Sequence, residues 1–172
     1  MRRKFLLRCA AVVAAGTLAG CSTVKSVSKD VVSKALNFVG LKGTILNWTQ
    51  VVIAATPGAN QNSPVAVDIV LVIEESTMEK LAALSAAKWF QTRSDMLRTF
   101  PGTYSYKSWE VSPGQTLRIP GAQFGSPSVV GVFVFADYLS PGEHRMRVET
   151  LQNGIIVELG VRGFSVSPFK AD

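Results

Sequence analysis

The sequence predicts an all-β fold, a sandwich or barrel with a minor helical insertion, and three observations support it. From Thr44 onward, apolar residues recur at period two in short runs. Pro-Gly occurs five times, at Pro57, Pro101, Pro113, Pro120 and Pro141, among only eight prolines. Proline presets φ at the first central position of a type II turn and glycine supplies the positive φ of the second. Repeated Pro-Gly between apolar runs therefore marks strand–turn–strand connections. Only the stretch from Ser76 to Thr99 breaks the alternation, and it does so with helical spacing.

The chain opens with a different kind of segment. Arg2, Arg3, Lys4 and Arg8 precede an apolar run from Cys9 to Leu18, and Ala19-Gly20-Cys21 follows. A basic head, a short apolar core and a small-residue exit are the parts of an export signal. The apolar run is shorter than the ~20 residues that cross a bilayer. An ordinary secretory cut after Gly20 would put bulky Leu18 where a small residue is wanted. Leu18-Ala19-Gly20-Cys21 resembles the lipobox of bacterial lipoproteins, which implies removal of residues 1–20 and a diacylglycerol on the Cys21 sulfur. Ser22 stands where an aspartate would imply retention in the inner membrane, so that likeness implies an outer-membrane anchor. Two or more acyl chains hold a protein stably where one does not.

Removing residues 1–20 takes four cations and no anions, leaving 14 Lys plus Arg against 12 Asp plus Glu. A net +2 gives no basis for nucleic-acid binding. The remaining 152 residues suit one domain with a real core. Cys9 leaves with the signal and Cys21 is acylated, so no disulfide, cysteine metal site or thiol nucleophile is expected.

Residues 21–43 read as an acylated N-terminus and tether. Val24, Val27, Val31, Ala35 and Val39 approach helical spacing, with Lys25, Lys29 and Lys34 largely elsewhere on the wheel. Valine and serine lower helix propensity, giving a marginal helix or a flexible stalk. The lysines are solvated or rest on anionic headgroups.

The body, residues 44–172, begins with Leu46, Trp48 and Gln50 alternating against Asn47, Thr49 and Val51, then the apolar run Val51–Ala55. Val65–Ile73 is apolar except for Asp68, as expected for a central strand covered on both faces. Ser76-Thr77-Met78-Glu79 has the form of a capping box opening one or two helices between 77 and 99. Val129–Tyr138 places Phe133 and Phe135 on one face and Val132 and Val134 on the other. Met146 and Val148, then Ile155, Val157, Leu159 and Val161, alternate more cleanly, and Phe164 and Val166 mark the last strand.

Catalytic patterns are scarce. His144 is the one histidine, which excludes multi-histidine metal sites, and it follows Pro141-Gly142 as a solvated loop residue. No Gly-x-Ser-x-Gly elbow occurs; Gly163-Phe164-Ser165-Val166-Ser167 fails at its last position. Glu74 and Glu75 stand adjacent at a strand end and would point to opposite faces, a poor acid/base pair. No Gly-rich loop has phosphate-cradling spacing. Neither enzymatic activity nor any cofactor or metal is expected.

An acylated cysteine leads to Gly40-Leu41-Lys42, a strand running into a polar Asn-containing loop, and then a long apolar strand. A helical insertion, the Ser112-Pro113-Gly114 turn and the Val130–Phe133 strand follow in order. In that order they resemble the TssJ family of type VI secretion system outer-membrane lipoproteins, over residues 18 to about 170. The resemblance implies a transthyretin-like β-sandwich of two four-stranded sheets with added helical elements. It also implies a docking subunit that binds the periplasmic part of the inner-membrane protein TssM. The loop between the first two strands makes that contact in the family; here it corresponds to Thr56 to Ser63, with Pro57-Gly58-Ala59-Asn60-Gln61-Asn62 as the expected contact residues. Many members carry Leu-Asn where this chain has Ala59-Asn60. The second strand, which usually includes Tyr-Gln-Leu, reads Val70-Leu71-Val72 here. On this reading the partners are outer-membrane lipid and a TssM-like protein, with no nucleic acid and no small-molecule substrate. The alternative is a periplasm-facing lipoprotein that binds a glycan or peptide in an aromatic-lined groove built from Tyr104, Tyr106 and Trp109. A hydrolase would need a hydroxyl within reach of His144.

Overall fold

The computed structural model describes residues 43–170, so the expected export signal, Cys21 and nearly all of the tether lie outside the described residues. Strand β1 (Thr44–Ile45) leads to β2 (Asn47–Ala55), a tight turn, and β3 (Val65–Val72). Helices α1 (Glu75–Ala82) and α2 (Ala86–Thr99) follow, then β4 (Tyr104–Val111), β5 (Thr116–Pro120) and a 3-10 turn at Gly121–Phe124. The chain closes with β6 (Ser128–Val129), β7 (Gly131–Asp137), β8 (Arg145–Arg147), β9 (Gln152–Leu159) and β10 (Phe164–Pro168).

The strands form two four-stranded sheets, ordered β10-β9-β2-β5 and β4-β3-β7-β8, with β1 and β6 paired apart. Every pairing is antiparallel except β2 with β9. Two separate sheets make a sandwich and not a barrel. Val51, Ile53, Val67, Ile69, Val132, Val134, Ile155 and Val157 interdigitate between the sheets. The even-numbered side of β3, Val70 and Val72, faces outward from the sandwich with Phe133 and Phe135, and α1 and α2 cover that face. Both faces of β3 are therefore buried, which explains its nearly unbroken apolar run.

Trp89 is the centre of the helix-covered layer. It is fully buried, stacks on Phe135 at 5.0 Å, and meets Tyr104 and Tyr106 edge-on. Its indole N–H donates to Asp68 Oδ2 at 2.8 Å, and Arg93 pairs with the same oxygen at 2.6 Å. The polar exception in β3 thus ties the helical insertion to the sheet.

The structure corrects several expectations. Leu46 and Trp48 are buried, but the β2–β9 register slips between Trp48 and Gln50, and burial resumes at Val51 instead of Gln50. One extra residue in a bulge reverses which face each later side chain occupies. Gly154, with φ of 131°, lies opposite Gln50, and a Cβ there would stand 1.7 Å from the Gln50 carbonyl oxygen.

No capping box forms at Ser76–Glu79. The helix starts earlier, with Glu74 as its cap residue and no side-chain cap bond. The Ile73 and Glu74 amides both donate to the Thr103 carbonyl, which holds Glu74 extended and sets the helix start by a tertiary contact. Glu74 and Glu75 consequently belong to this helix start and not to a strand end. α2 is capped by Ser85, whose hydroxyl accepts from the Lys88 amide at 3.3 Å. Of the five Pro-Gly pairs, Gly102 and Gly114 adopt φ of 77° as a type II turn demands. Gly58 takes φ of −99° and Gly121 opens the 3-10 turn, so these two do not.

Candidate functional site

Three connections meet at one end of the sandwich: the β2–β3 turn, the β7–β8 loop and the β9–β10 turn. The first is conformationally unusual. Asn60, Gln61 and Asn62 have φ of 46°, 55° and 65°, three successive residues in the left-handed region. That region costs a non-glycine residue ~1–2 kcal/mol, less for asparagine, so the neighbours must enforce it.

They do so through Asn60. Its amide N–H donates to the Gly160 carbonyl at 3.1 Å, and the Gln61 amide donates to the Val161 carbonyl at 3.3 Å. The Asn60 side-chain amide donates to the Pro64 carbonyl at 2.9 Å, while its Oδ1 accepts from the Leu139 amide at 2.8 Å. One residue therefore locks all three loops together. Tyr138 adds a bond from its hydroxyl to the Gly163 carbonyl at 2.7 Å, and Ser140 donates to the Arg162 carbonyl at 3.0 Å. Burial pushes the Tyr138 hydroxyl up to about 12.

This arrangement divides the six expected contact residues. Ala59 is fully buried and Asn60 is 3% exposed, so these two of the six stand inside the fold. The hydrogen-bonding groups of Asn60 are consumed there. Pro57, Gln61 and Asn62 are exposed, and Gly58 is half-buried. Beside them stand two exposed apolar side chains: Leu139 at 66%, for which no role was expected, and Val161 at 53%, which reads as part of an alternating strand but lies past the end of β9 at Leu159. The signal available was weak: a leucine next to Ser-Pro-Gly and a valine between Gly160 and Arg162, both apolar where a turn wants polar residues. A hollow of about 590 Å³ adjoins this end, floored by Ala55, Leu159 and Phe164, so the surface is not purely convex.

His144 is half-buried and not a solvated loop residue. It stacks on Tyr138 at 4.7 Å, with its own φ at 41°. A hydroxyl does lie near it, with Ser140 Oγ 3.4 Å from Nε2. Yet Nε2 is also 2.8 Å from the Ser140 carbonyl oxygen, which can only accept, and in the tautomer that satisfies this contact Nε2–H donates there and is not a base toward Ser140. The Ser140 hydroxyl proton is committed to Arg162. The pair shapes the loop. Among the described residues no group of three or more His, Cys, Asp or Glu side chains could hold a metal ion, and no helix is long and apolar enough to cross a membrane.

The proposed aromatic groove does not form. Tyr104 is buried and Tyr106 packs on Trp89, whereas Trp109 lies on the opposite face of β4 against Phe124. Alternation along one strand separates them.

No protein-family model and no curated protein matches the sequence. Solved structures do. The type VI secretion lipoprotein TssJ1 from Pseudomonas aeruginosa superposes with a TM-score of 0.50 at 16% identity, covering 72% of this chain and 98% of that one. Lip of Serratia marcescens, a membrane-bound component of the type VI secretion system, gives 0.49 at 14% identity over 69% and 96%. A TssM C-terminal domain from EAEC gives 0.47 at 13% identity over 70% and 98%. The fold assignment rests on the first of these. With its two four-stranded sheets and helical insertion, this chain has a divergent TssJ-like fold.

Proposed function

We propose that this protein is a non-enzymatic docking subunit of a type VI secretion membrane complex, anchored in the outer membrane through acylated Cys21, its body facing the periplasm. Residues 1–20 are the signal, 21–43 the lipid-bearing tether and 44–172 the docking domain. The partner is the periplasmic part of a TssM-like inner-membrane protein. The role needs no cofactor, nucleic acid or small-molecule substrate.

The observation that carries this reading is the locked left-handed turn. Asn60 spends its own polar groups holding three loops in register, and the result presents Gln61 and Asn62 beside Leu139 and Val161. A surface ordered before binding loses less entropy on association. Two apolar side chains rimmed by amides suit a protein partner better than a small ligand. The TssJ-like fold supports the choice of partner.

The test is a binding titration of the full chain in detergent against the TssM periplasmic region. Leu139→Ser with Val161→Ser, and separately Gln61→Ala, are expected to weaken association by at least ~10-fold with folding intact, about 1.4 kcal/mol. Unchanged binding by both variants removes the loop end as the contact. If the unmodified chain does not bind, the docking role itself fails.

A further inference from the structure

A second feature lies away from the loop end and shares no residue with it. Between α1 and β8, on the helix-covered side of the second sheet, is an open cleft of about 400 Å³. Its floor is apolar, made by the buried side chains of Met78 and Phe133. Its two walls carry opposite charge. Glu75 and Glu79, one helical turn apart and hence on one face of α1, form one wall. Arg145 and Arg147, two apart on β8 and hence on one face of the strand, form the other.

The walls do not neutralise each other. Among the described residues Glu75, Glu79 and Arg147 make no ion pair, so they stand more than 4 Å from any opposite charge. Arg145 is held in place by donating to the Leu84 carbonyl at 2.6 Å, with Glu143 3.4 Å away. A carboxylate pair and a guanidinium pair thus line opposite sides of an apolar floor, and among the described residues Glu75, Glu79 and Arg147 lack a counter-ion.

We infer that this cleft binds a short peptide with both termini free, its ammonium on the Glu75/Glu79 wall, its carboxylate on Arg147 and an apolar side chain on Met78 and Phe133. A ligand of one charge sign would meet repulsion from one wall, whereas a zwitterion meets attraction from both. A guanidinium receives a carboxylate through two parallel hydrogen bonds. An extended di- or tripeptide holds its two charged ends apart at ~3.3–3.6 Å per residue, as a ligand of two opposed walls must, and the cleft volume falls in the range of small-ligand sites.

The experiment is calorimetric titration of the full chain in detergent with alanyl-leucyl-alanine carrying free termini, then with its N-acetylated and C-amidated forms. Saturable binding of the free peptide near a Kd of about 1 mM or tighter is expected. Blocking either terminus should weaken it at least ~10-fold, as should Arg147→Gln or Glu79→Gln. Blocking makes the peptide more apolar, so mere partitioning into detergent or onto the floor would change binding in the opposite direction. No saturable heat overturns the inference, and so does equal binding of free and blocked peptide or an unaltered response in both variants. None of these outcomes bears on the TssM titration, whose contact residues are elsewhere.

Discussion

Trp89 and Asp68 are joined by a 2.8 Å hydrogen bond from indole Nε1–H to carboxylate Oδ2, at the centre of the layer between β3 and α2. Asp68 is fully buried, with Arg93, 30% exposed, as its counter-ion and, among the described residues, with Oδ1 unpartnered. The two ends of the ion pair are therefore unequal. Arg93→Met leaves a buried carboxylate without its charge partner and should cost ~3–5 kcal/mol. Asp68→Leu frees Arg93 to turn toward solvent and orphans only the Trp89 N–H, so it should cost less, ~1–3 kcal/mol. Urea unfolding of the two variants measures the order, and an equal or reversed order refutes the asymmetry.

Two buried tyrosines predict alkaline sensitivity. Desolvation by burial raises Tyr104 to about 12, with the nearby Tyr106 adding to it, and burial raises Tyr138 to about 12 against a small opposing effect of the Gly160 backbone. In the unfolded chain both ionise near their ordinary value of 10. Between pH 10 and 12 the unfolded state thus binds fewer protons than the folded one, and stability falls as pH rises. These two groups contribute no slope well below pH 10, where both states are protonated. Thermal midpoints of Tyr104→Phe and Tyr138→Phe should decline less over that window than those of the unaltered chain.

Gly142 has φ of 157° and lies under the His144 ring, where an added Cβ would stand 2.8 Å from Nε2. Gly142→Ala should push the imidazole off Tyr138 and destabilise by ~1–3 kcal/mol. Loss of the His144–Tyr138 contact is readable as a shift in the imidazole proton resonances, and an unmoved spectrum with unmoved stability contradicts it.

The strands were legible because burial imprints itself on composition. β3 reads as apolar on both faces and is central; β7 reads as Phe on one side and Val on the other and separates two clusters accordingly. What was not legible depends on a second strand or loop. The bulge at Trp48/Gln50 exists only against Gly154, and the start of α1 is set by Thr103, some thirty residues away. At the loop end, Pro57–Asn62 could be marked as a turn from Pro, Gly and Asn alone. That Asn60 faces inward could not, because its partners Leu139 and Gly160 come from distant segments.

Cys21 carries the anchoring prediction. Cys21→Ser should leave the chain unprocessed or soluble, since acylation requires the thiol and the remaining apolar run is too short to span. Metabolic labelling with a fatty-acid analogue followed by membrane fractionation tests it. Equal membrane association of both forms, with label on neither, rules the anchor out.

The left-handed turn separates stability from surface. Asn60→Ala removes the acceptor for Leu139 and the donor to Pro64 at a 3% exposed position, and it places alanine at φ of 46°. It should cost ~2–4 kcal/mol, combining an orphaned buried amide with backbone strain. Gln61 is exposed at φ of 55°, where glycine carries no steric penalty. Gln61→Gly should therefore be neutral to slightly stabilising, within about 1 kcal/mol, because relief of strain offsets the greater freedom of the unfolded chain. Denaturant midpoints of the two variants give the answer. If Asn60→Ala is as benign as Gln61→Gly, the turn is not held by Asn60, and the loops at this end are not a pre-ordered surface.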